Sequence, residues 1–193
     1  MNGLDLIAKN VNRIIKLSDT EQQRFFSVLE NRKVKKKQYL HNDGEICNYI
    51  NFVSKGCFRL YNTDEDGVEH VVQFAIENWW ISDVASFLTQ SRGVYSIHAL
   101  ENSEVLRISK SNLDKLYIDI PKFERYFRIL SENTYIGYQR RTSYNIGASA
   151  EDRYLYFKKT YPVFFKRIPQ HQIASYLGIT PEFLSKLKKS LGE

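Results

Sequence analysis

The amino-acid sequence predicts an α+β protein in which one antiparallel β-barrel or sandwich is followed by helices. Three observations indicate this class. Strand-like segments crowd residues 33–109, helical periodicity appears before and after them, and no helical pattern separates the strands. Strands that follow one another directly favour an antiparallel sheet over the crossover units of a parallel sheet. The 193 residues suit one large domain, or a medium and a small one.

Two helices are predicted before the strands. Apolar residues at helical spacing give the first helix one buried stripe; they are Leu4, Ile7, Val11, Ile14 and Ile15. Ser18 and Glu21 have capping-box spacing and predict a second helix that runs to about Asn31. The N-terminal segment lacks the apolar core of a signal peptide, and no apolar run is long enough to span a membrane. We therefore expect a cytoplasmic protein.

Six segments are predicted strands because they are short and rich in β-branched and aromatic residues. They read KVKKKQYL, NYINFVSKG, CFRLYNT, VEHVVQFA, VYSIHALE and EVLRIS. Asp64–Gly67 lies between two alternating runs and predicts a hairpin turn. The basic run Arg32–Lys37 is interpreted as a solvated strand face rather than a nucleic-acid patch.

A long helix is predicted from Pro121 to about Asn145. Some of its residues recur at the alternating spacing of a helix-pairing seam; they are Phe123, Phe127, Leu130, Thr134, Gly137, Arg141 and Tyr144. We favour pairing with a second copy of the chain. The alternative is packing of the helix onto its own β-rich domain, and both can hold on different faces.

The sequence predicts three functional divisions along the chain. Residues 1–120 form the β-rich domain, 121–147 form the long helix and hinge, and 148–193 form a small helical domain. Asn145–Ser149 reads NIGAS, which is a plausible hinge, and Ser149 caps the helix that follows it.

The small domain ends in two short helices that cross at a turn. Ala174 supplies the small residue where the helices approach, and Gly178 tolerates the positive φ that the turn requires. Apolar residues occupy the other inward positions, namely Ile173, Leu177, Ile179, Leu184 and Leu187. This pattern predicts a DNA-binding helix-turn-helix, and the alternative is an ordinary hairpin of two helices.

Charge distribution agrees with that prediction. The net charge is +6, and residues 148–193 contribute +4 of it from eight Lys/Arg and four Asp/Glu. A basic balance fits nucleic acid without requiring it. The outward face of the last helix is predicted to read bases, through Pro181, Glu182, Ser185, Lys186 and Lys189. The candidates for phosphate contacts are Gln170, His171, Gln172, Thr180 and Lys188.

The whole chain resembles the Crp–Fnr superfamily of bacterial regulators, particularly its short members from Bacteroidetes-type bacteria. The resemblance rests on four stretches, NYINFVSKGCFRLYNTDEDGVEHVVQFA, ENWWISDVASFL, ALENSEVLRISKSNLDKLY and PQHQIASYLGITPEFLSKLKK. It implies a double-stranded β-helix barrel of the cyclic-nucleotide-binding type in residues 1–120. It also implies a homodimer joined by the long helix, a near-palindromic site on double-stranded DNA, and RNA polymerase as a further partner.

The resemblance fails at the positions that hold a cyclic nucleotide in the family. Ser82-Asp83-Val84 stands where binding members have Gly-Glu-Leu, and Arg92 is followed by Gly and Val instead of a hydroxyl residue and Ala. Loss of an arginine–phosphate pair removes a strong charge-assisted contact. We expect no cofactor, and the effector is unidentified. The alternative function is a sensor whose barrel pocket, including these four residues, binds cAMP or cGMP.

Metal and enzyme chemistry are not indicated. Cys47 and Cys57 belong to no CxxC pattern, and His41, His70 and His98 are scattered singly. A cupin-like metalloenzyme would need a His-x-His pair, which the sequence lacks. We expect no metal site and no catalytic residues.

Overall fold

The computed structural model describes residues 2–192, and its elements follow the predicted order of helices, strands and helices. The helices are α1 Gly3–Asn12, α2 Asp19–Ser27, α3 Val84–Thr89, α4 Lys110–Asp119, α5 Lys122–Gly147, α6 Ala150–Thr160, α7 Phe164–Arg167, α8 Gln170–Leu177 and α9 Pro181–Ser190. The strands are β1 Glu30–Val34, β2 Tyr39–His41, β3 Tyr49–Lys55, β4 Phe58–Thr63, β5 Glu69–Ala75, β6 Trp80–Ile81, β7 Ser96–Ala99 and β8 Ser103–Ser109.

The strands form two four-stranded sheets, with the orders β1-β8-β3-β6 and β2-β7-β4-β5. The antiparallel α+β class is confirmed, but the sheets make an open sandwich rather than a closed barrel. The edge strands β2 and β6 have only three and two residues. Strands this short offer few ladder hydrogen bonds to a neighbouring sheet.

Two predicted segments have different boundaries in the structure. Helix α2 ends at Ser27 rather than near Asn31, because Glu30 already pairs with β8 and accepts hydrogen bonds from Arg107 at 3.1 and 2.8 Å. The predicted strand KVKKKQYL divides into β1 and β2, which belong to different sheets. Lys37, with φ of 71°, lies in the turn between them. The side chains of Lys33 and Lys35–Lys37 are exposed, as expected for a solvated face.

Reciprocal capping boxes begin the helices that the sequence marks most clearly. Ser18 accepts from the Glu21 N–H and Ser149 from the Asp152 N–H, and each acidic side chain bonds back to the cap. The hairpin turn is also confirmed. Gly67 has φ of 81°, and the Asp64 carboxylate accepts from the N–H groups of Asp66 and Val68.

The chain divides into two compact units. Unit 1 comprises Met1–Asn62 and Gln73–Glu132, and unit 2 comprises Thr63–Val72 and Asn133–Glu193. The division falls inside α5, so it follows neither 120 nor 147, and the three functional divisions stay a prediction. In unit 1 the N-terminal helices, α4 and the start of α5 share one core with β3 and β8. Phe25 and Phe123 lie at its centre, with ring centroids 4.7 Å apart.

No helix within residues 2–192 combines the length and the apolar character that a membrane span requires.

Candidate nucleic-acid interface

Helices α8 and α9, here called the terminal helix pair, are joined by a tight left-handed turn. Gly178 has φ of 67° and ψ of 38°, the conformation that glycine adopts without strain. The Ile179 N–H donates to the Ala174 carbonyl at 3.1 Å and closes the end of α8. Thr180 then caps α9 by accepting from the Phe183 N–H at 3.2 Å, with Pro181 in the first turn. These features of the sequence prediction are confirmed.

The inward side of the pair is packed as predicted. Ala174 has no exposed surface, and the other buried members are Ile173, Leu177, Leu184 and Leu187. Ile179 is half-buried, so it closes the edge of this core rather than its centre. Aromatic residues of α6 and α7 supply the other side of unit 2. Phe157 lies 5.0 Å from the Tyr176 ring and 5.9 Å from the Phe164 ring, between centroids.

Ser175 links the pair to the hairpin segment Thr63–Val72, which belongs to the same unit. Its hydroxyl donates to the Glu69 carbonyl at 2.7 Å and accepts from the Val71 N–H at 3.0 Å. These partners are 106 and 104 residues away in the sequence, so no local pattern could have identified Ser175. The two bonds fix one side of α8 against the hairpin.

The predicted base-reading face of α9 is fully on the surface. Its five members are all exposed, namely Pro181, Glu182, Ser185, Lys186 and Lys189. Across residues 2–192, the side chains of Glu182, Lys186 and Lys189 take part in no hydrogen bond or ion pair. The charged groups on this face are therefore available to an external partner.

The predicted phosphate contacts divide into two groups. Gln170, His171 and Thr180 are exposed and Lys188 is half-buried, so all four can reach solvent. Gln172 cannot, because it is only 7% exposed, and its Oε1 has no hydrogen-bond partner among the described residues. The assignment of Gln172 to a phosphate contact is therefore wrong for this structure. Helical periodicity explains the error, since Gln172 lies beside Ile173 on the buried side of α8.

Phe183 is a surface residue of α9 that the sequence analysis did not assign. It is 48% exposed although it lies between the capped first turn and the buried Leu184. Its position outside the inward set Leu184 and Leu187 is the signal that could have found it. An exposed aromatic ring beside Glu182 adds apolar surface to the face.

The predicted pairing seam of α5 does not form one continuous surface. Phe123 has no exposed area and lies in the core of unit 1, which corrects its assignment to an interface with a second chain. Phe127 and Leu130 pack partly against that core, whereas Thr134 and Gly137 are exposed. For this part of α5, packing onto its own domain is the alternative that the structure supports.

Arg141, another predicted seam residue, also faces its own chain. Its guanidinium donates to the carbonyls of Val71 at 3.0 Å and Tyr176 at 2.9 Å, and to the Val72 carbonyl. The guanidinium carbon lies 3.9 Å from the centroid of the Tyr176 ring. Both contacts are within unit 2. Arg141 therefore holds α5, the hairpin segment and α8 together, and its assignment to an interface with a second chain stays a prediction.

The four predicted effector residues lie in different environments. Ser82 is buried and donates to the Tyr49 carbonyl, whereas Val84 and Arg92 are exposed. Asp83 is 1% exposed and caps α3 by accepting from the Ser86 N–H at 3.0 Å. Its second oxygen, Oδ2, has no hydrogen-bond partner among residues 2–192.

Gly93 covers the Asp83 carboxylate. A Cβ built on Gly93 would lie 2.3 Å from Asp83 Oδ2, so the glycine backbone occupies the space over that oxygen. The ribose-holding role that the resemblance implies for this acidic position would need space at Oδ2, and Gly93 lies against that oxygen. Sequence comparison found the changed residue, but only the structure shows the covering backbone.

Single histidines and cysteines form no metal centre in the described part of the chain, where no group of three or more His, Cys, Asp or Glu could hold an ion. Cys47 and Cys57 are buried and free. His41 is 6% exposed, and burial lowers the pKa of its imidazole while the carboxylates of Asp83, Glu45 and Asp43 oppose the shift.

The β-rich part of the chain matches a known domain family. Residues 31–119 match the family profile described as the cyclic nucleotide-binding domain, and they contain every strand but the start of β1, together with α3 and α4. This region is therefore similar to the cyclic nucleotide-binding domain. No curated protein gives a significant match to the sequence.

Solved structures extend the likeness beyond that domain. CLP of Xanthomonas campestris, described as a c-di-GMP responsive global regulator, is 16% identical, with a TM-score of 0.71 over 91% of this chain and 92% of that one. FixK2 of Bradyrhizobium japonicum is 16% identical, with a TM-score of 0.73 over 86% and 85%. A protein of Eubacterium rectale described as a regulator of the crp/fnr family is 16% identical, with a TM-score of 0.70 over 91% and 84%. At this identity the solved structures show that the chain shares their fold.

Proposed function

We propose that this protein is a sequence-specific, DNA-binding transcription regulator that acts as a homodimer. The observation that carries the proposal is the face of α9, where Glu182, Lys186 and Lys189 are exposed and have no partner within residues 2–192. The cap at Thr180 and the core around Ala174 present this face on a fixed helix. Net positive charge in residues 148–193 supports approach to a polyanion.

In the proposed complex α9 enters the major groove. The Glu182 carboxylate can accept from a cytosine amino group, Lys186 can reach guanine or phosphate, and Ser185 can bond base edges or backbone. Lys189, near the end of the helix, suits a phosphate. Gln170, His171, Thr180 and Lys188 are the flanking candidates that set the orientation of α9 on the duplex. The exposed Phe183 ring adds an apolar contact with a thymine methyl group.

The proposed dimer forms through α5. Tyr135, Tyr138 and Ile146 are 63%, 41% and 83% exposed, and helical periodicity places them on the side opposite Gly137 and Tyr144. A second copy that packs here would cover these apolar groups. Two copies would then present two α9 helices to half-sites about one helical turn apart, which supports a near-palindromic site. The family resemblance adds RNA polymerase as a further partner.

A selection from randomised duplex DNA tests the proposal directly. We expect the purified protein to enrich one near-palindromic sequence and to bind it with a steep salt dependence. Lys115→Ala is the matched control for removal of a lysine from α9, because Lys115 is an exposed lysine of α4 with no ion pair in the described chain. If the wild-type protein and this control both fail to enrich any sequence, the proposal is contradicted.

Sedimentation tests the dimer separately from DNA binding. Tyr135→Glu together with Tyr138→Glu places charges on the proposed apolar face, so we expect a wild-type dimer and a monomeric variant. Arg125→Glu is the matched control, because the Arg125 side chain is exposed and has no ion pair in the described chain. Arg128 is less suitable, since it pairs with Glu132. A wild-type monomer at micromolar concentration would overturn this part of the proposal.

A cyclic-nucleotide sensor is the second candidate function, because residues 31–119 match that domain family. The Gly93 backbone over Asp83 and the exposed Arg92 oppose it. Titration calorimetry with cAMP and with cGMP decides between them. We expect no saturable heat at micromolar nucleotide, and saturation in that range would restore the pocket as a nucleotide site.

A further inference from the structure

Unit 2 contains a cavity that neither the sequence analysis nor the proposed function uses. Its volume is about 400 Å³, and it lies among the second half of α5, helix α6 and the end of α8. All of its lining residues belong to unit 2. Cavities of this size are within the range that binds small molecules. We call it the arginine–tyrosine pocket, after Arg140, Arg141, Arg153, Tyr144, Tyr156 and Tyr176.

The pocket carries positive charge that the chain does not neutralise. Its lining includes three arginines and no aspartate or glutamate. Arg153 donates to the carbonyls of Leu177 at 3.1 Å and Ala148 at 3.0 Å, and Arg141 also donates only to carbonyls. The Arg140 guanidinium has no hydrogen bond or ion pair among the described residues. Three guanidinium groups without a carboxylate make a site that favours an anion.

Asp152, which precedes Arg153 on α6, is engaged at the start of the helix. Asp152 does not line the pocket, and its carboxylate accepts from the Ser149 hydroxyl at 2.7 Å and from the Ser149 N–H at 3.3 Å. That capping box holds the charge at the start of α6. It is therefore not directed at the three arginines.

Tyrosine rings form much of the remaining wall. Tyr144 and Tyr156 are stacked, with ring centroids 4.5 Å apart and planes inclined by 23°. Burial raises the pKa of the Tyr176 hydroxyl, although the Arg141 charge acts the other way. A raised pKa keeps this phenol neutral at physiological pH, so it adds no negative charge. Flat aromatic and guanidinium surfaces favour a ligand that is itself planar.

We propose that the arginine–tyrosine pocket binds a small organic anion, in which a carboxylate or phosphate group is attached to a planar ring. Arg140 supplies the free guanidinium for the anionic group, and Arg141 and Arg153 supply the surrounding positive field. The tyrosine rings contact the planar part. This site is separate from Asp83 and Arg92 of the β-rich part of the chain, and it does not depend on the proposed binding of DNA.

Two substitutions in the pocket, Arg140→Gln and Gly137→Leu, test the site without removing side-chain hydrogen bonds that stabilise the fold. Arg140→Gln removes the one arginine of the three that makes no bond in the described chain, and Arg125→Gln removes an exposed, unpaired arginine earlier on α5 as the matched control. Gly137→Leu fills the pocket, since a Cβ on this helical glycine meets no atom within 4 Å. Leucine also has the higher helix propensity, so we expect the variant to fold.

The probes are phenyl phosphate and benzoate, with benzamide as the neutral match for benzoate. In ligand-observed NMR titrations of the full chain, we expect saturable binding of at least one anion with Kd on the order of 1 mM, and none of benzamide. Arg140→Gln should weaken binding about tenfold, Arg125→Gln should leave it unchanged, and Gly137→Leu should abolish it.

The following results would overturn the proposal. Neither anion binds the wild-type chain below 10 mM, benzamide binds as well as benzoate, or folded Gly137→Leu binds as tightly as the wild type. Circular dichroism melting confirms that each variant is folded before it is titrated.

Discussion

Residues assigned to functional sites from the sequence lie both in the terminal helix pair and in the β-sandwich. The two regions differ in how far they expose these side chains to solvent. On α9 the assigned charged side chains are exposed and have no partners in the described chain. In the β-sandwich the assigned acidic residue, Asp83, is buried under the backbone of Gly93. The charged side chains of α9 are therefore accessible to another molecule, whereas the Asp83 carboxylate is not.

The difference has a physical origin. The α9 face depends on local features, namely a cap, a left-handed glycine and helical periodicity, which all act within about twenty residues. The surroundings of Asp83 depend on where a loop ten residues later is placed by sheet pairing. A carboxylate is therefore exposed in the first turn of a helix at Glu182, whereas at Asp83 it is buried and caps a helix.

The largest effect is expected in the core that supports the α9 face. Leu184→Ala removes a side chain that is 1% exposed and should lower the free energy of unfolding of unit 2 by about 2–5 kcal/mol. Phe183→Ala, on the adjacent and 48% exposed residue, should cost much less. Urea denaturation followed by circular dichroism compares the two. Equal losses would mean that the exposed side of α9 has been assigned wrongly.

The next largest effect on stability is expected where Gly93 lies against Asp83 in the β-sandwich. Gly93→Ala places a Cβ 2.3 Å from Asp83 Oδ2 and should destabilise the β-sandwich by about 1–3 kcal/mol. Asp83→Ser shortens the side chain and keeps a capping hydroxyl, so the double variant should lose less than the sum of the single losses. Thermal unfolding measures this coupling. Strict additivity would show that Gly93 does not press on the carboxylate.

Two substitutions on α9 separate base reading from charge. Glu182→Ala should change the preferred base at one position of each half-site, by about 1–3 kcal/mol of discrimination. Lys189→Ala should weaken binding at every sequence and lower the salt slope by about one. Fluorescence anisotropy with a set of single-base variants of the selected site measures both. A uniform loss for Glu182→Ala would remove that residue from base reading.

The smallest effect is a pH dependence from His41. Because burial lowers the pKa of this imidazole in the folded chain, the unfolded chain binds a proton at higher pH, near 6.5. Stability should be constant above that pH and should fall as the pH drops below it, by at most about 1.4 kcal/mol per pH unit. Urea denaturation between pH 7.5 and 5.5 should show a shallower fall for His41→Gln. An unchanged slope would exclude His41 as the source.

Sequence reasoning succeeded where one element contains the whole pattern. It predicted the antiparallel α+β class, the capping boxes at Ser18 and Ser149, the hairpin at Gly67 and the turn at Gly178. Each of these depends on neighbouring residues. The exposed face of α9 followed from the same local periodicity.

Sequence reasoning failed where distant segments meet. Ser175 and Arg141 bond the hairpin segment, which lies about seventy to one hundred residues earlier, and no periodicity encodes such partners. The seam predicted for α5 had the right spacing, but Phe123 is in the core and Arg141 faces α8. Gln172 is polar, and its side chain was therefore expected at the surface. In the structure it lies on the buried side of α8.

A crystal structure of the protein with its selected DNA site shows whether the outward side of α9 reads duplex DNA. We expect two protomers, each with α9 in a major groove and with Glu182 or Lys186 within hydrogen-bond distance of a base edge. A complex in which α9 lies away from both grooves, with the bases contacted by another surface, would contradict this expectation.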